Sequence, residues 1–304
     1  MKKRISLVLT LVLVVMLAMV GCSSKETTIK DREGKDVKVP DKIDRIISAV
    51  PSNTEILMGL GLKDKLVGVD TYSQDIPNLP KDIEIIDFYN PDAEAIIGLQ
   101  PDIVLASSHN KTGTGDDPLK IIEDAGISVF YIPNSESIES IYDDINFIAG
   151  ITNTKAKGQE IVNNMKAEVN KIAEIGKTIT DKKKVYFEIG PAPTLYSFGH
   201  STFLNEMIEL VGAENIFKDI NGWTSPSEEA VIDANPDVIL TNVNYVENSI
   251  EEIKSRKGWE NIKAIKDNQV YMIDKNASSR PSQHIVTALK QIANSVYPEY
   301  YGQK

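Results

Sequence analysis

One pattern of apolar and polar positions occurs twice in the chain. EAIIGLQPDIVL begins at Glu94 and EAVIDANPDVIL begins at Glu229, an offset of 135 residues, with Glu, Ala, Ile, Pro, Asp and Leu matching. In both copies, apolar residues at helical spacing lead to a proline, which disfavours helix at the residue before it. A β-branched run follows. Each copy therefore predicts a helix, a sharp break and a buried parallel strand.

Two further pairs of segments repeat in the same order. TEILMGLG from Thr54 and NEMIELVG from Asn205 predict short amphipathic helices, each preceded by a strand, RIISAV or KVYFEIG. ISVFYIP from Ile127 and QVYMID from Gln269 are both strand-like. These pairs predict two α/β lobes. The alternative is that such helix-to-strand joins recur in any α/β protein.

The segment 153–184 separates the two halves. Its apolar residues form one stripe among lysines and glutamates: Ile161, Met165, Val169, Ile172 and Ile175. This spacing predicts an amphipathic helix of about 25 residues, nearly 40 Å long, joining an N-terminal lobe at 29–152 to a C-terminal lobe at 185–304. Because one stiff helix resists wide hinge closure, we expect little lobe movement on ligand binding.

Residues 1–21 have the layout of a secretory signal peptide. Three cations precede an uncharged run from Ile5 to Val20, and Gly21 stands at the expected cleavage point. The apolar run is roughly 24 Å long as a helix, shorter than a comfortable membrane span. No other stretch of the sequence approaches it, so we expect the mature chain to have no transmembrane helix.

Cys22 is the only cysteine and directly follows the predicted cleavage point. The sequence MVGC, from Met19, resembles a lipoprotein acylation site. We therefore expect residues 22–28 to form a lipidated cysteine and a polar tether, which would hold the protein outside the cell on its membrane. The alternative is an ordinary residue beside a general cleavage site.

Charge excludes one class of partner. The formal net charge of −11 becomes −14 when the three cations of the signal peptide are removed, because that segment contains no acid. Nucleic-acid binding requires a basic surface, so we expect no nucleic-acid partner.

Four longer segments resemble the periplasmic binding proteins for cobalamin, haem and ferric siderophores: AVPSNTEILMGLGLKDKLVGVDTYS from Ala49, LQPDIVLAS from Leu99, FGHSTFLNEMIELVGAENIF from Phe198 and NPDVILTN from Asn235. Nearly all of the mature chain takes part. The resemblance implies an α/β fold of class III, with two Rossmann-like lobes joined by a single long backbone helix. It also implies a non-enzymatic, substrate-binding role with an ABC transporter permease as partner. The cobalamin-binding type is the most similar, so we expect a corrinoid ligand, with a ferric siderophore or haem as the alternative, and no cofactor.

Aromatic residues are the first candidates for the cleft. Counting back six residues from Glu94 and Glu229 reaches Phe88 and Trp223, equivalent positions of the two lobes. Tyr72 and Tyr196 match further aromatic positions that line the family's cleft. Two aromatic faces suit a large flat ring. The alternative for each of the four is a place in the core.

Polar candidates follow predicted strands. Arg280, in SSRPSQHI, matches a cleft arginine of the family and could donate to an amide, phosphate or carboxylate; the alternative is a solvated arginine at a helix start. Asn276 and Ser279 stand where the cobalamin pattern has acids, so the ligand stays open. Ser52 and Asn53 open a helix whose amides would attract oxygen acceptors, or they cap it.

Glu94 and Glu229 match the pair of carboxylates with which this family contacts arginines of its transporter. Two exposed anions, one on each lobe, can orient a basic partner while adding only modest affinity. The alternative is that each glutamate complements the dipole of its own helix.

Other functional classes are less favoured. His109, His200 and His284 occur singly, without the spacing of a zinc or manganese site, so no metal site is expected. A histidine, Tyr72 or Tyr196 could ligate the iron of a bound haem. An anchored hydrolase is the remaining alternative, but no GxSxG, HExxH or GxxxxGK[ST] motif is present.

Overall fold

A computed structural model describes residues 27–89, 91–111 and 119–302. The signal peptide and Cys22 lie outside these residues. An antiparallel hairpin comes first, with β1 (Thr27–Lys30) paired to β2 (Asp36–Val39). The predicted tether was therefore too long, because Thr27 and Thr28 are hydrogen-bonded in β1 opposite Val39 and Lys38.

The N-terminal lobe contains a five-stranded parallel sheet in the order β5-β4-β3-β6-β7. Its strands are β3 (Ile46–Ser48), β4 (Leu66–Asp70), β5 (Glu84–Ile86), β6 (Ile103–Ser107) and β7 (Ser128–Ile132). β3 and β6 are buried throughout, as expected for strands covered on both faces.

The C-terminal lobe contains a four-stranded parallel sheet in the order β10-β8-β12-β13 and a separate antiparallel ribbon of β9 and β11. These strands are β8 (Lys184–Glu188), β9 (Ser197–Phe198), β10 (Glu214–Asn215), β11 (Trp223–Thr224), β12 (Val238–Thr241) and β13 (Val270–Met272). The order β10-β8-β12-β13 repeats β4-β3-β6-β7 of the first lobe. The predicted two-lobed α/β fold is confirmed.

Helices cover both sheets and connect the lobes. They are α1 (Pro51–Gly59), α2 (Ala93–Gly98), α3 (Lys120–Asp124), α4 (Ile138–Ile151), α5 (Lys155–Gly176), α6 (Phe203–Leu210), α7 (Glu228–Ala234), α8 (Ser249–Lys254), α9 (Lys263–Lys266), α10 (Lys275–Ser279), α11 (Ile285–Val296) and α12 (Pro298–Tyr301). The repeated sequence forms α2 with β6 in one lobe and α7 with β12 in the other.

The repeated Pro-Asp pair has a structural role in each lobe. The carboxylate of Asp102 accepts hydrogen bonds from the backbone amides of Asp44 and Arg45, at 2.7 and 2.8 Å. Asp237 accepts one from the amide of Lys184, at 2.7 Å. Each aspartate therefore ties the start of its own strand to the start of the neighbouring one, which fixes the register of the sheet.

The linking helix is shorter than predicted. α5 has 22 residues, about 33 Å, instead of 25 residues and nearly 40 Å. It ends at Gly176, where a β-carbon would lie 2.1 Å from the carbonyl oxygen of Leu210. The chain then turns so that Ile179 is buried against Gly212. Close packing on the C-terminal lobe therefore ends the helix early.

A continuous apolar core joins the lobes through this helix. Val162, Met165, Val169 and Ile172 of α5 belong to a cluster that includes buried residues from both sheets and from α4, α6 and α11. Two smaller clusters cover the outer faces of the sheets, one cluster on each sheet. Moving the lobes apart would expose part of the shared core, so the fold favours a fixed lobe arrangement.

Candidate functional site

A cavity of about 760 Å³ lies between the lobes. Its walls come from both sheets at the carboxyl ends of their strands, where α/β folds bind ligands. The residues following β3, β4, β5, β6 and β7 form one wall, and those following β8, β12 and β13 form the other. Among them are Ala49, Tyr72, Asn110, Pro133, Ile189, Asn242 and Lys275.

The wall of the C-terminal lobe presents Trp223, at the start of β11, and Tyr196, directly before β9. Their rings are nearly parallel, 10° apart in plane with centroids 6.3 Å apart, and they are 43% and 50% exposed. The buried ring of Phe198 supports Trp223 edge-on at 6.1 Å. Both predicted residues therefore lie in the cleft with ring surface available to a ligand.

The opposite wall presents Tyr72, as predicted, and Tyr89. These rings meet edge to face with centroids 6.2 Å apart, and both side chains are more than half exposed. Tyr72 belongs to a short 3₁₀ turn, Thr71–Ser73, that directly follows β4. The pair supplies aromatic surface across the cavity from Trp223.

Phe88 does not supply the free ring face that was predicted. Its side chain reaches the cavity wall but is only 6% exposed, because it packs with Ile47, Ile86 and Ile96 in the outer core of the N-terminal lobe. Tyr89, one residue later, takes that role. The alternation after β5 is a signal for this, since Ile86 and Phe88 share the buried side of the chain.

Tyr245 and Lys275 also line the cavity and were not predicted. The ammonium of Lys275 lies 5.2 Å from the centre of the Tyr245 ring. Five of the nine large apolar side chains that are exposed in the described residues line this one cavity: Tyr72, Tyr89, Tyr196, Trp223 and Tyr245. Exposed apolar surface concentrated in this way marks a binding site.

Arg280 joins the two lobes through its guanidinium. Its guanidinium donates to Glu55 Oε1 at 3.1 Å, Asp75 Oδ1 at 2.7 Å and the Tyr72 carbonyl at 2.8 Å, all in the N-terminal lobe. Ser282 donates to the other oxygen of Glu55, at 2.5 Å. The side chain lines the cavity and is 9% exposed, so Arg280 forms an interlobe clamp, and its role as a donor to a ligand stays a prediction.

Neighbours of Arg280 share in the clamp. The Asn276 amide donates to Asp75 Oδ2 at 2.8 Å, so the amide that replaces an acid at this position contacts a carboxylate across the lobes. Partial burial favours a higher pKa for the Asp75 carboxyl. Hydrogen bonds from Arg280 and Asn276 outweigh this effect and lower the pKa of Asp75. Ser279 lines the cavity and accepts a hydrogen bond from Asn242 at 3.2 Å.

The start of α1 faces the cavity. Its cap position is Val50, which offers no side-chain acceptor, and Pro51 occupies the first turn. Ser52 and Asn53 line the cavity but neither caps the helix; the Asn53 amide instead approaches the Ala106 carbonyl at 3.5 Å. The capping alternative is thereby removed. Backbone amides at such a helix start can receive a ligand oxygen.

Asp70 is one of two buried acids of the cavity wall, with Asp144. Burial raises the pKa of Asp70, and hydrogen bonds from Ser73 Oγ and from the Tyr72 amide act in the opposite direction. Its carboxylate thus orders the turn that carries Tyr72 and has little surface left for a ligand.

Glu94 and Glu229 occupy equivalent places. Both lie exposed in the first turn of a helix, α2 and α7, capped by the side chains of Asp92 and Ser227. In each lobe the helix begins at the cavity edge, runs away from it, and is followed by a strand that runs towards the cavity. Both glutamates, in the first turns of these helices, therefore lie at the edge where the cleft opens. Neither takes part in an ion pair among the described residues.

His109, His200 and His284 lie in separate segments of the chain. His200 and His284 are exposed, and His109 belongs to the 3₁₀ turn Ser108–Asn110 after β6. Across 27–89, 91–111 and 119–302, no three His, Cys, Asp or Glu side chains come together as a possible metal site. Within the same ranges, no helix combines the length and apolarity of a membrane span.

Comparisons with known proteins assign the family. The model of a family described as periplasmic binding protein matches residues 46–277. The chain belongs to the periplasmic binding protein family. It is 34% identical over 281 residues to the uncharacterized ABC transporter substrate-binding lipoprotein YvrC of Bacillus subtilis, covering 91% of this chain and 87% of that one.

Two other similarities place this periplasmic binding protein among named relatives. It is 31% identical over 201 residues to the vitamin B12-binding protein of Yersinia pestis, covering 66% of this chain and 69% of that protein. The crystal structure of a possible iron-binding periplasmic solute-binding protein from Staphylococcus epidermidis superposes with a TM-score of 0.75 at 34% identity, covering 84% of this chain and all of that one. The chain is thus an extracytoplasmic solute-binding protein, from a family that binds solutes and does not transform them.

Proposed function

We propose that this protein captures a corrinoid in the cleft between its lobes and delivers it to the permease of an ABC importer. The observation that carries the proposal is the set of five exposed aromatic rings on the two walls of one cavity. Rings on facing walls can contact both sides of a large flat ligand and remove it from water.

The polar groups of the cleft suit the periphery of such a ligand. The exposed side-chain amide of Asn134 and hydroxyl of Ser279 line the walls, and the uncapped start of α1 adds backbone amides. Corrinoids carry amide side chains around the ring, which pair with neutral donors and acceptors of this kind. Similarity to a vitamin B12-binding protein supports the same ligand class.

A ferric siderophore or haem is the alternative ligand. It is favoured by the likeness to a possible iron-binding protein and by two exposed phenols in the cavity, Tyr72 and Tyr196. A tyrosine oxygen can ligate ferric iron. Iron uptake would use the same lobes and the same route to a permease.

The proposed location of the protein is the outer side of the cell membrane. The signal-peptide layout of residues 1–21, with Cys22 directly after it, supports an acylated cysteine as the anchor. Membrane attachment would keep the ligand-bound protein close to its permease. Loss of membrane retention in a Cys22→Ala variant, with release of folded protein, is the expected result.

Ligand titration tests the proposal. The chain from residue 23 onward is titrated with cyanocobalamin, haem and a ferric siderophore, following thermal stability and tryptophan fluorescence. Of the two tryptophans, Trp259 is fully buried and Trp223 is half exposed, so quenching on binding reports the cleft. Cyanocobalamin is expected to bind most tightly; a preference for haem or the siderophore would favour the alternative.

A substitution then ties binding to the cleft. Trp223→Ala is expected to weaken ligand binding by about 1–2 kcal/mol, roughly tenfold, because one ring face of the site is lost. Tyr300→Ala, which removes a half-exposed ring at α12, serves as the control and should bind as the parent does. If none of the three ligands stabilises the parent protein, the proposed function is wrong.

A further inference from the structure

The cations around the cleft are unequally neutralised. Arg280 faces two carboxylates, Glu55 at 3.1 Å and Asp75 at 2.7 Å, so this group of three carries one net negative charge. Because both amino groups of its guanidinium are already engaged by the opposite lobe, Arg280 offers little attraction to an anionic ligand.

A second group on the N-terminal lobe has the same composition. Asp144 lines the cavity and pairs with Arg32, Nε to Oδ1, at 2.7 Å, while Asp143 lies 3.6 Å from the same guanidinium. Glu136, exposed at the end of the wall after β7, adds a further negative charge. The wall of the N-terminal lobe is therefore net negative.

Lys275 differs from Arg280 and Arg32 in the groups that it contacts. Among the described residues that line the cavity, the cations are Lys275 and Arg280. The ammonium of Lys275 lies over the Tyr245 ring and forms no ion pair with a carboxylate of the described residues. Its side chain is exposed and available. Asn90 and residues 112–118 (TGTGDDP), the internal positions that the structure does not describe, contain no Lys, Arg or His and so add no cation.

We infer that the cleft selects its ligand by charge: it takes a flat ligand that is uncharged or cationic overall, with at most one anionic group, and Lys275 holds that group. The inference rests on the proposed function and narrows its ligand class. Chelates with two or three anionic groups would bury unpaired charge beside carboxylates, which is costly. A corrinoid meets the requirement and a neutral ferric hydroxamate meets its charge condition, whereas haem and ferric tris-catecholates do not meet the charge condition.

Two corrinoids separate the role of Lys275 from general ring binding. Cyanocobalamin carries one phosphodiester, and dicyanocobinamide has the same ring without it; both are uncharged overall. Lys275→Gln is expected to weaken cyanocobalamin binding about fivefold, the effect of one partly exposed ion pair, and to leave dicyanocobinamide unchanged. Lys266→Gln makes the same charge change at an exposed position of α9, outside the cleft. This control should leave the binding of both corrinoids unchanged.

Ferric chelates of different charge test the selection itself. A neutral ferric tris-hydroxamate, a trianionic ferric tris-catecholate and haem, with two propionates, are titrated by calorimetry at two salt concentrations. The neutral chelate is expected to bind at least about tenfold more tightly than either anionic ligand, and raising the salt should narrow the gap by screening the repulsion.

The outcomes separate this inference from the proposed function. Tight binding of haem or the tris-catecholate, equal to that of the uncharged ligands, overturns charge selection and leaves the proposed function standing. Equal losses of both corrinoids in Lys275→Gln overturn the role of Lys275. If neither the corrinoids nor the iron chelates bind, the proposed function fails and this inference with it.

Discussion

At the scale of single residues, Phe88 and Tyr89 lie side by side in sequence and have opposite environments. Phe88 continues the buried side of β5 after Ile86, and Tyr89 turns outward to meet Tyr72 in the cleft. Both residues belong to a turn after β5, in which the Tyr89 amide donates to Asp87 Oδ1 at 2.9 Å. Stability should therefore depend on the first ring and ligand binding on the second.

Alanine substitutions test this division. Phe88→Ala is expected to lower the free energy of unfolding by about 3 kcal/mol, because it leaves a void in a packed cluster. Tyr89→Ala should change stability by less than about 1 kcal/mol and weaken ligand binding severalfold. Chemical denaturation and ligand titration measure the two effects. The reverse pattern would restore Phe88 as the cleft residue.

A second residue-scale property is the partly buried carboxylate of Glu206, where α6 contacts the N-terminal lobe. It accepts a hydrogen bond from the Ile138 amide at 2.7 Å. Burial raises the pKa of Glu206 above its ordinary 4.5; that hydrogen bond opposes the shift, and the charges of Glu209 and Glu139 add to it. The folded protein therefore binds a proton at the Glu206 carboxylate more tightly than the unfolded chain does.

The sign of the pH effect follows from that difference. With a raised folded pKa, the stability linked to Glu206 is fully present below pH 4.5 and is lost as the pH rises through the folded pKa. Glu206→Gln keeps an acceptor for Ile138 but stays neutral. Its stability relative to the parent should therefore increase from pH 4.5 towards neutrality, as measured by urea unfolding across that range.

The control for this experiment is Glu84→Gln, which removes one exposed carboxylate at the start of β5. Its stability difference from the parent should not follow that pH dependence. A Glu206→Gln variant with a constant difference from the parent would show that Glu206 does not titrate between the folded and unfolded states in this range.

At the scale of elements, the repeated units could be predicted from the sequence because their causes are local. Gln100 and Asn235 end their helices with φ of 47° and 46°, directly before the repeated prolines. The prolines and the β-branched runs that follow can be read directly from the amino-acid sequence. Local pattern did not reveal the ribbon of β9 and β11, whose two-residue strands are too short to show a period.

The contact between α4 and α5 depends on a glycine. A β-carbon on Gly158 would lie 2.4 Å from the β-carbon of Ala149, so the two helices touch where one has no side chain. Gly150, also helical, has open space, with its nearest neighbouring atom 4.0 Å away on Lys155. The two glycines should therefore respond in opposite ways to alanine.

Thermal or urea unfolding can compare them. Gly158→Ala is expected to lower the free energy of unfolding by about 1–3 kcal/mol through overpacking, although alanine favours helix by about 1 kcal/mol. Gly150→Ala should raise it by up to about 1 kcal/mol, since only helix propensity and chain entropy change. Equal stability of the two variants would mean that the helices separate without cost.

At the scale of the whole molecule, the two lobes are joined by contacts that no local pattern reveals. Arg280 and Glu55, which are hydrogen-bonded in the clamp, are 225 residues apart in sequence. Resemblance placed Arg280 at the cleft, but its partners are set by the packing of one lobe on the other. The five cleft aromatics likewise come from separate strand ends, of which Tyr89 and Tyr245 carried no recognised motif.

The fixed arrangement of the lobes gives Glu94 and Glu229 a defined relation to each other. Each lies exposed at the start of an equivalent helix at the cleft edge. Two carboxylates held on separate lobes can contact two basic sites of a permease at once, and the second contact is then effectively intramolecular. Losing either should weaken docking, and losing both should weaken it more than additively.

Transport of labelled ligand into membrane vesicles that carry the cognate permease measures this effect. Glu94→Ala and Glu229→Ala are each expected to reduce transport severalfold and the double variant to abolish it, with ligand affinity unchanged because neither residue lines the cavity. The control is the double variant Glu84→Ala with Glu214→Ala, which removes one carboxylate per lobe at the strand starts, on the opposite edge. Since both doubles lose the same charge, equal transport by the two would show that the position of the carboxylates is irrelevant and that only total charge attracts the permease.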